Sequence, residues 1–227
     1  MKPNLVRNLV IATLFLVLSY SANAQVKSKN TQLFNGKDLN NWVFSLKDPA
    51  VDPKTVFTVQ NGVIHIKGDP FGYMRTAKEY SDYNLHVEWR YPVEATNSGV
   101  FIHAQKPDTI WPKTIECQLA AGKAGDFICA NGTSMNEQKD KSNRVVTKMN
   151  PSNEKPVGEW NSMDIKCSGN TVEVTVNGLL QNRGTGLNVS KGSICLQSEG
   201  KDIEFRNVFL TTIKNSDKTG NASKRNK

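Results

Sequence analysis

The chain has 227 residues, of which 37% are hydrophobic and 8% aromatic, and a formal charge of +8. That composition is too apolar for a disordered chain and too polar for a multi-span membrane protein, and the length suffices for one domain with a substantial core. The charge points to nucleic acid only until it is located: residues 33–213 carry 20 basic and 20 acidic groups, so a phosphate-tracking protein is disfavoured and an uncharged small molecule is the better partner.

In chain order, residues 1–24 join Lys2 and Arg7 to the apolar run Leu9–Leu18 and end on Ala22-Asn23-Ala24. This is the pattern of a secretory signal peptide cleaved after Ala24, with an apolar core too short for an ordinary transmembrane helix. It predicts a periplasmic or secreted protein with no membrane span after cleavage. Residues 25–32 read as a polar leader, and 214–227, with five basic groups and one acidic, as a disordered basic tail.

Residues 33–213 read as one domain. Apolar and polar residues alternate in 63–67, 85–90, 115–119, 172–176, 193–197 and 203–210, and the turn pairs Asn61-Gly62 and Asn177-Gly178 lie beside two of these segments. Period-two alternation with Asn-Gly turns predicts antiparallel strands. No amphipathic helix of a dozen residues is present. The expected fold is all-β, a single-domain, two-sheet antiparallel β-sandwich or jelly roll. Residues 130–156 break the pattern as a long polar loop, a place where function often sits. The four cysteines, Cys117, Cys129, Cys167 and Cys195, form no Cys-x-x-Cys pair. They are read as structural bridges or buried thiols rather than a zinc site.

Strand alternation also sorts faces, since residues i and i+2 point the same way. It puts Glu116 and Gln118 together, Phe101 with His103, and Glu204 with Arg206 and Val208, each opposite an apolar row. Gly- and Trp-bearing segments between these strands suit close approach and stacking on a sugar.

Several motifs occur in order: Leu33-Phe34-Asn35-Gly36-Lys37-Asp38-Leu39 with Trp42, Asn97-Ser98-Gly99-Val100-Phe101-Ile102-His103, and Trp111 to Leu119 through Gly125-Asp126-Phe127. Gly158-Glu159-Trp160-Asn161, Val176-Asn177-Gly178, Gly192 to Gly200 and Ile203 to Val208 complete the set. Together they resemble the 3-keto-disaccharide hydrolase domain family over about Leu33 to Thr212. The resemblance implies a concanavalin A-like jelly roll acting on glycosides whose C3 hydroxyl is oxidised to a ketone. Such a ketone acidifies the C2 hydrogen, so a base removes it, the C1 substituent leaves, and water adds back. That chemistry needs a base, an acid for the leaving oxygen and a donor or cation for the enolate.

On this resemblance Glu116, in a Glu-x-Gln strand, is the first acid/base candidate, with His103 and Glu199 as further catalytic candidates. Gln118, Arg206, Arg75, Trp111 and Lys113 are the substrate-binding candidates. No cofactor is expected. A divalent metal held by His103, Glu116 and Glu199 is the weaker possibility, since those side chains offer suitable ligand atoms from separate strands. The alternatives are a lectin-like carbohydrate-binding module and a conventional glycoside hydrolase, since the fold alone does not choose among them.

Overall fold

The computed structural model describes residues 30–213; the expected signal peptide, the tail and most of the leader lie outside them. The strands in chain order are β1 (Thr31–Gln32), β2 (Trp42–Leu46), β3 (Phe57–Gln60), β4 (Val63–Ile66), β5 (Gly72–Thr76), β6 (Tyr83–Arg90), β7 (Gly99–Ala104) and β8 (Thr114–Gln118). They continue with β9 (Phe127–Ala130), β10 (Val145–Val146), β11 (Asn161–Ser168), β12 (Thr171–Val176), β13 (Leu179–Gly184), β14 (Ser193–Ser198) and β15 (Ile203–Thr212). One 3-10 turn, Pro53–Thr55, is the only helical element among the described residues.

All pairings are antiparallel and build two sheets. The first has the order β13-β12-β11-β6-β15-β4-β3, with β1 added on β15; the second has the order β10-β9-β8-β7-β14-β5-β2. The result is the expected two-sheet jelly-roll sandwich. Thr31 and Gln32, read as part of the leader, pair with Leu210 and Phe209.

The alternation read from sequence explains the first sheet. In β12, Val172, Val174 and Val176 are buried and the residues between them are not. In β11, Met163, Ile165 and Cys167 face the same core. The second sheet meets them with Val100, Ile102, Ile115, Cys117, Phe127, Ile194 and Leu196. At ~25 cal/mol per Å² of apolar surface this shared core is the main source of stability. Both Asn-Gly pairs have positive φ at both residues, 52° and 77° at Asn61-Gly62 and 47° and 82° at Asn177-Gly178, as the hairpin turns joining β3 to β4 and β12 to β13 require. The four cysteines are free, buried thiols.

The middle of the second sheet is buried on both faces. All six residues of β7 and all six of β14 are covered, so the outer face of this sheet is roofed there. Two segments do this. The 105–113 loop crosses it from β7 to β8, and 130–156 folds back along its edge, adding β10 to β9 through Val145↔Ile128 and Val146↔Phe127.

Two expected faces are corrected. Ser193 pairs with Ala104 but Cys195 pairs with Phe101, so β7 carries one extra residue, and His103 takes φ 54°. The bulge turns the His103 ring into the sandwich against Tyr83 of the opposite sheet, away from the face that holds Phe101. In β15, Arg206 pairs with Glu88 but Phe209 with His86, and Asn207 has φ 51°. This second bulge sends Val208 into the core rather than beside Arg206.

Candidate active site

One rung of side chains runs across the outer face of the second sheet: Val43, Arg75, Cys195, Phe101, Glu116, Ile128 and Val145, each paired with the next. Glu116 is on β8 near the middle of this row. It borders a cavity of about 130 Å³ together with Trp111, Gln118, Glu199, Asn97 and Arg144. Phe101, Ile128 and Ala130 add apolar lining.

Glu116 is 6% exposed and its Oε1 has no hydrogen-bond partner. Burial, and then repulsion from Glu199, push its pKa up from 4.5 to about 8, against a smaller pull from Arg144. Its position depends on Gly99, its diagonal neighbour on β7: a Cβ there would lie 2.8 Å from both Cγ and Cδ of Glu116. A glycine in a strand interior is costly, and here it makes room for a carboxyl.

Glu199 follows β14 and is half-buried. Burial raises its pKa, while the nearby Gln197 amide and Arg144 pull it down. Two carboxyls therefore share one cavity in unequal surroundings, and Glu116 holds its proton more tightly. Asn97 Oδ1 and both polar atoms of the Gln197 amide are buried without a hydrogen bond of good geometry. Such groups are costly unless something completes them. Gln118 is half committed, since its Oε1 accepts from the backbone N–H of Leu119 and Ala120, both at 2.9 Å.

The 105–113 loop is fixed from below. Arg75 donates twice to Asp108 (2.6 Å each) and Tyr73 Oη donates to Thr109 O (2.9 Å). The Trp111 ring packs against Phe71 in a tilted contact, with centroids 4.2 Å apart and planes 39° apart. Arg75 is thus a loop anchor, three strands from Glu116 or about 14 Å at the usual strand spacing. Lys113 ties the loop through its carbonyl, which accepts from Gln105 N, and is not among the residues bordering the cavity.

The structure thus brings together Glu116, Glu199, Gln118 and Trp111. It does not bring His103 or Arg206 to them. His103 is fully buried on the core side of the same sheet, where desolvation lowers its pKa against the backbone carbonyls of Ser81 and Val189. The three-ligand metal set, given from sequence only as the weaker possibility, is therefore not assembled, and among the described residues no other trio of His, Cys, Asp or Glu converges for a metal.

Arg206 lies on the other sheet. It donates to Glu88 (2.6 Å) and covers the Trp160 ring, 4.1 Å from its centroid, which Arg90 also approaches. Arg206→Gln is expected to keep turnover within about twofold of wild type and to lower stability by about 1 kcal/mol or less, as partly exposed pairs do. A tenfold loss of turnover in a steady-state assay would place Arg206 back in the site.

Sequence reasoning did not single out Arg144, Asn97 or Gln197. Arg144 comes from the 130–156 segment, whose length and polarity were the only signal. Pairing of β10 with β9 is what brings it to the cavity.

Residues 29–211 match the family described as 3-keto-α-glucoside-1,2-lyase-like domain. No curated protein sequence matches the chain at a significant level. A candidate glycosyl hydrolase from Parabacteroides distasonis ATCC 8503 is similar in structure, with TM-score 0.62 and 21% identity, over 82% of this chain and 94% of that one. Carbohydrate-binding module CBM66 from Bacillus subtilis (TM-score 0.56, 10% identity, 76% and 96% covered) shares the fold. So does a β-glucanase from Bacillus licheniformis (TM-score 0.53, 12% identity, 82% and 98% covered). At these identities the likeness is one of fold. Among the described residues no helix is long and apolar enough to cross a membrane.

Proposed function

Because this chain belongs to the 3-keto-α-glucoside-1,2-lyase-like domain family, we propose that it cleaves glycosides carrying a ketone at C3, by elimination across C1 and C2. The observation that carries the reading is the buried Glu116 carboxyl, unpartnered at Oε1, sharing its cavity with Glu199.

The roles follow from the two environments. Glu199, the more exposed carboxylate, takes the proton from C2. The C–H electron pair moves into the C3 carbonyl as an enolate, whose charge faces the Arg144 guanidinium. The enolate collapses to restore the ketone and form the C1–C2 double bond. The C1–O bond breaks, and its electron pair takes the proton of Glu116. The products are an unsaturated 2-hydroxy-3-keto sugar and a free alcohol. One proton has moved onto Glu199 and one off Glu116, so a transfer between them through water restores the site. Addition of water at C1 would make the net reaction hydrolysis. Asn97 offers its unpaired Oδ1 to a hydroxyl of the sugar. The export signal read in residues 1–24 would place this reaction in the periplasm or outside the cell.

The test is to incubate the protein with a 3-keto-α-disaccharide and follow enone absorbance together with release of the second sugar. An unoxidised disaccharide forms the parallel arm. Two carboxyls in one cavity also suit a conventional glycosidase, and that reading predicts turnover in the second arm only. Sugar binding without turnover in either arm would instead indicate a lectin-like module.

The pH profile carries a further expectation. If Glu116 is the acid, kcat/KM falls above about pH 8 as its proton is lost. A rate still rising at pH 9 would assign Glu116 the role of base.

A further inference from the structure

We propose that the Trp111 indole is the subsite for a ring-shaped leaving group, so that the protein prefers 3-keto-glycosides of sugars or aryl alcohols to those of simple alkyl alcohols. The inference rests on the reading above and adds the class of aglycone.

Two observations support it. The first is size. A cavity of about 130 Å³ is well below the roughly 300–1,000 Å³ of sites that enclose a whole ligand of two rings. One ring can enter it and the other must lie at its mouth. The unpaired polar atoms of Asn97 and Glu116 are at the cavity and call for the hydroxyls and reacting carbons of the keto sugar. The ring left outside is then the departing one.

The second is how Trp111 is held. The residue is 47% exposed, which for a tryptophan leaves a large apolar surface in water. Even so, its surroundings fix it firmly. One side rests on Phe71. Its carbonyl accepts from Thr109 Oγ1 (2.9 Å) and Asn131 Nδ2 (3.1 Å). Two residues back the loop is pinned to the sheet by Tyr73. An exposed indole on so rigid a mount is preorganised to stack, and loss of side-chain freedom on binding is small. The apolar faces of a pyranose or an aryl ring suit it, and a methyl group does not reach across it.

The test compares Trp111→Ala with the wild-type full chain on three substrates: a 3-keto-α-disaccharide, p-nitrophenyl 3-keto-α-glucoside and methyl 3-keto-α-glucoside. Mutant-to-wild-type ratios for each substrate cancel the intrinsic reactivity of the leaving groups. For the first two, kcat/KM is expected to fall by about tenfold, mostly through KM, as loss of a stacked ring implies. For the methyl glycoside the change is expected to stay within about twofold, and Trp111→Phe is expected to recover most of the loss. Equal losses on all three substrates, or none on the disaccharide, would overturn the proposal. A merely structural role would move kcat for all three alike.

If wild type turns over none of them, the proposed reaction fails while the subsite stays testable. The indole N–H resonance of Trp111, assigned by its loss in Trp111→Phe, should shift on titration with an unoxidised disaccharide and not with methyl glucoside. No shift would count against the subsite.

Discussion

Glu116→Gln is expected to lose at least two orders of magnitude in kcat on a 3-keto-disaccharide and, at the same time, to be more stable than wild type at pH 8. The first half follows from the loss of a proton donor placed at the leaving oxygen, which is worth about 10²–10⁴ in rate. The second follows from linkage. The carboxyl titrates at its ordinary 4.5 when unfolded and at about 8 when folded. Between those values the folded protein keeps a proton that the unfolded chain has released. Stability therefore falls as pH rises through this window and levels off above it. At ~1.4 kcal/mol per pH unit the ceiling is about 5 kcal/mol, and relaxation of the site reduces it. The neutral amide does not titrate, so the variant escapes the loss. Thermal melts from pH 5 to 9 should show wild type losing stability as pH rises, with Glu116→Gln gaining on it. At pH 8 the gain in Tm is expected to be about 5–10 °C for a domain of this size. A variant that is inactive and also less stable at pH 8 would mean that the carboxyl is a structural group with a partner, and the assignment of its role would fail.

Gly99→Ala is expected to cost activity without touching a polar group. The backbone of Gly99 has no positive φ, so alanine brings no backbone strain. The penalty is steric: the new Cβ meets the Glu116 carboxyl, and with Phe101 and Ile128 beside it in the row the side chain cannot retreat freely. Overpacking of this kind costs about 1–3 kcal/mol in stability. A displacement of the carboxyl by an ångström costs about 10²-fold in rate. In the Glu116→Gln background the same substitution should cost far less activity, because the group it displaces no longer acts. A fully active Gly99→Ala would show that the Glu116 position is not critical to the reaction.

Much of the architecture was legible because strand alternation is a local property. The β4, β6, β8, β12, β14 and β15 segments each announced themselves by period two, and each formed within a residue or two of its expected bounds. Both Asn-Gly hairpins were equally plain, since positive φ at two successive residues selects for those side chains. The placement of Glu116 and Gln118 on one face of β8 followed from the same rule.

His103 shows where that rule fails. Alternation counts residues along one strand, whereas a bulge is a mismatch in count between two, so β7 could not be read without β14. Arg206 shows a second limit. Its strand reads like the others, and nothing local says which sheet it joins. Arg144 shows a third, because a polar loop has no period to place it. The sequence by itself determined the strands, the tight turns, the two-sheet class and the pairing of a carboxyl with an amide on one strand face. The tertiary structure alone decided which titratable groups share a cavity, because that depends on contacts between residues distant in the chain, on burial, and on the extra residue that turned a histidine away.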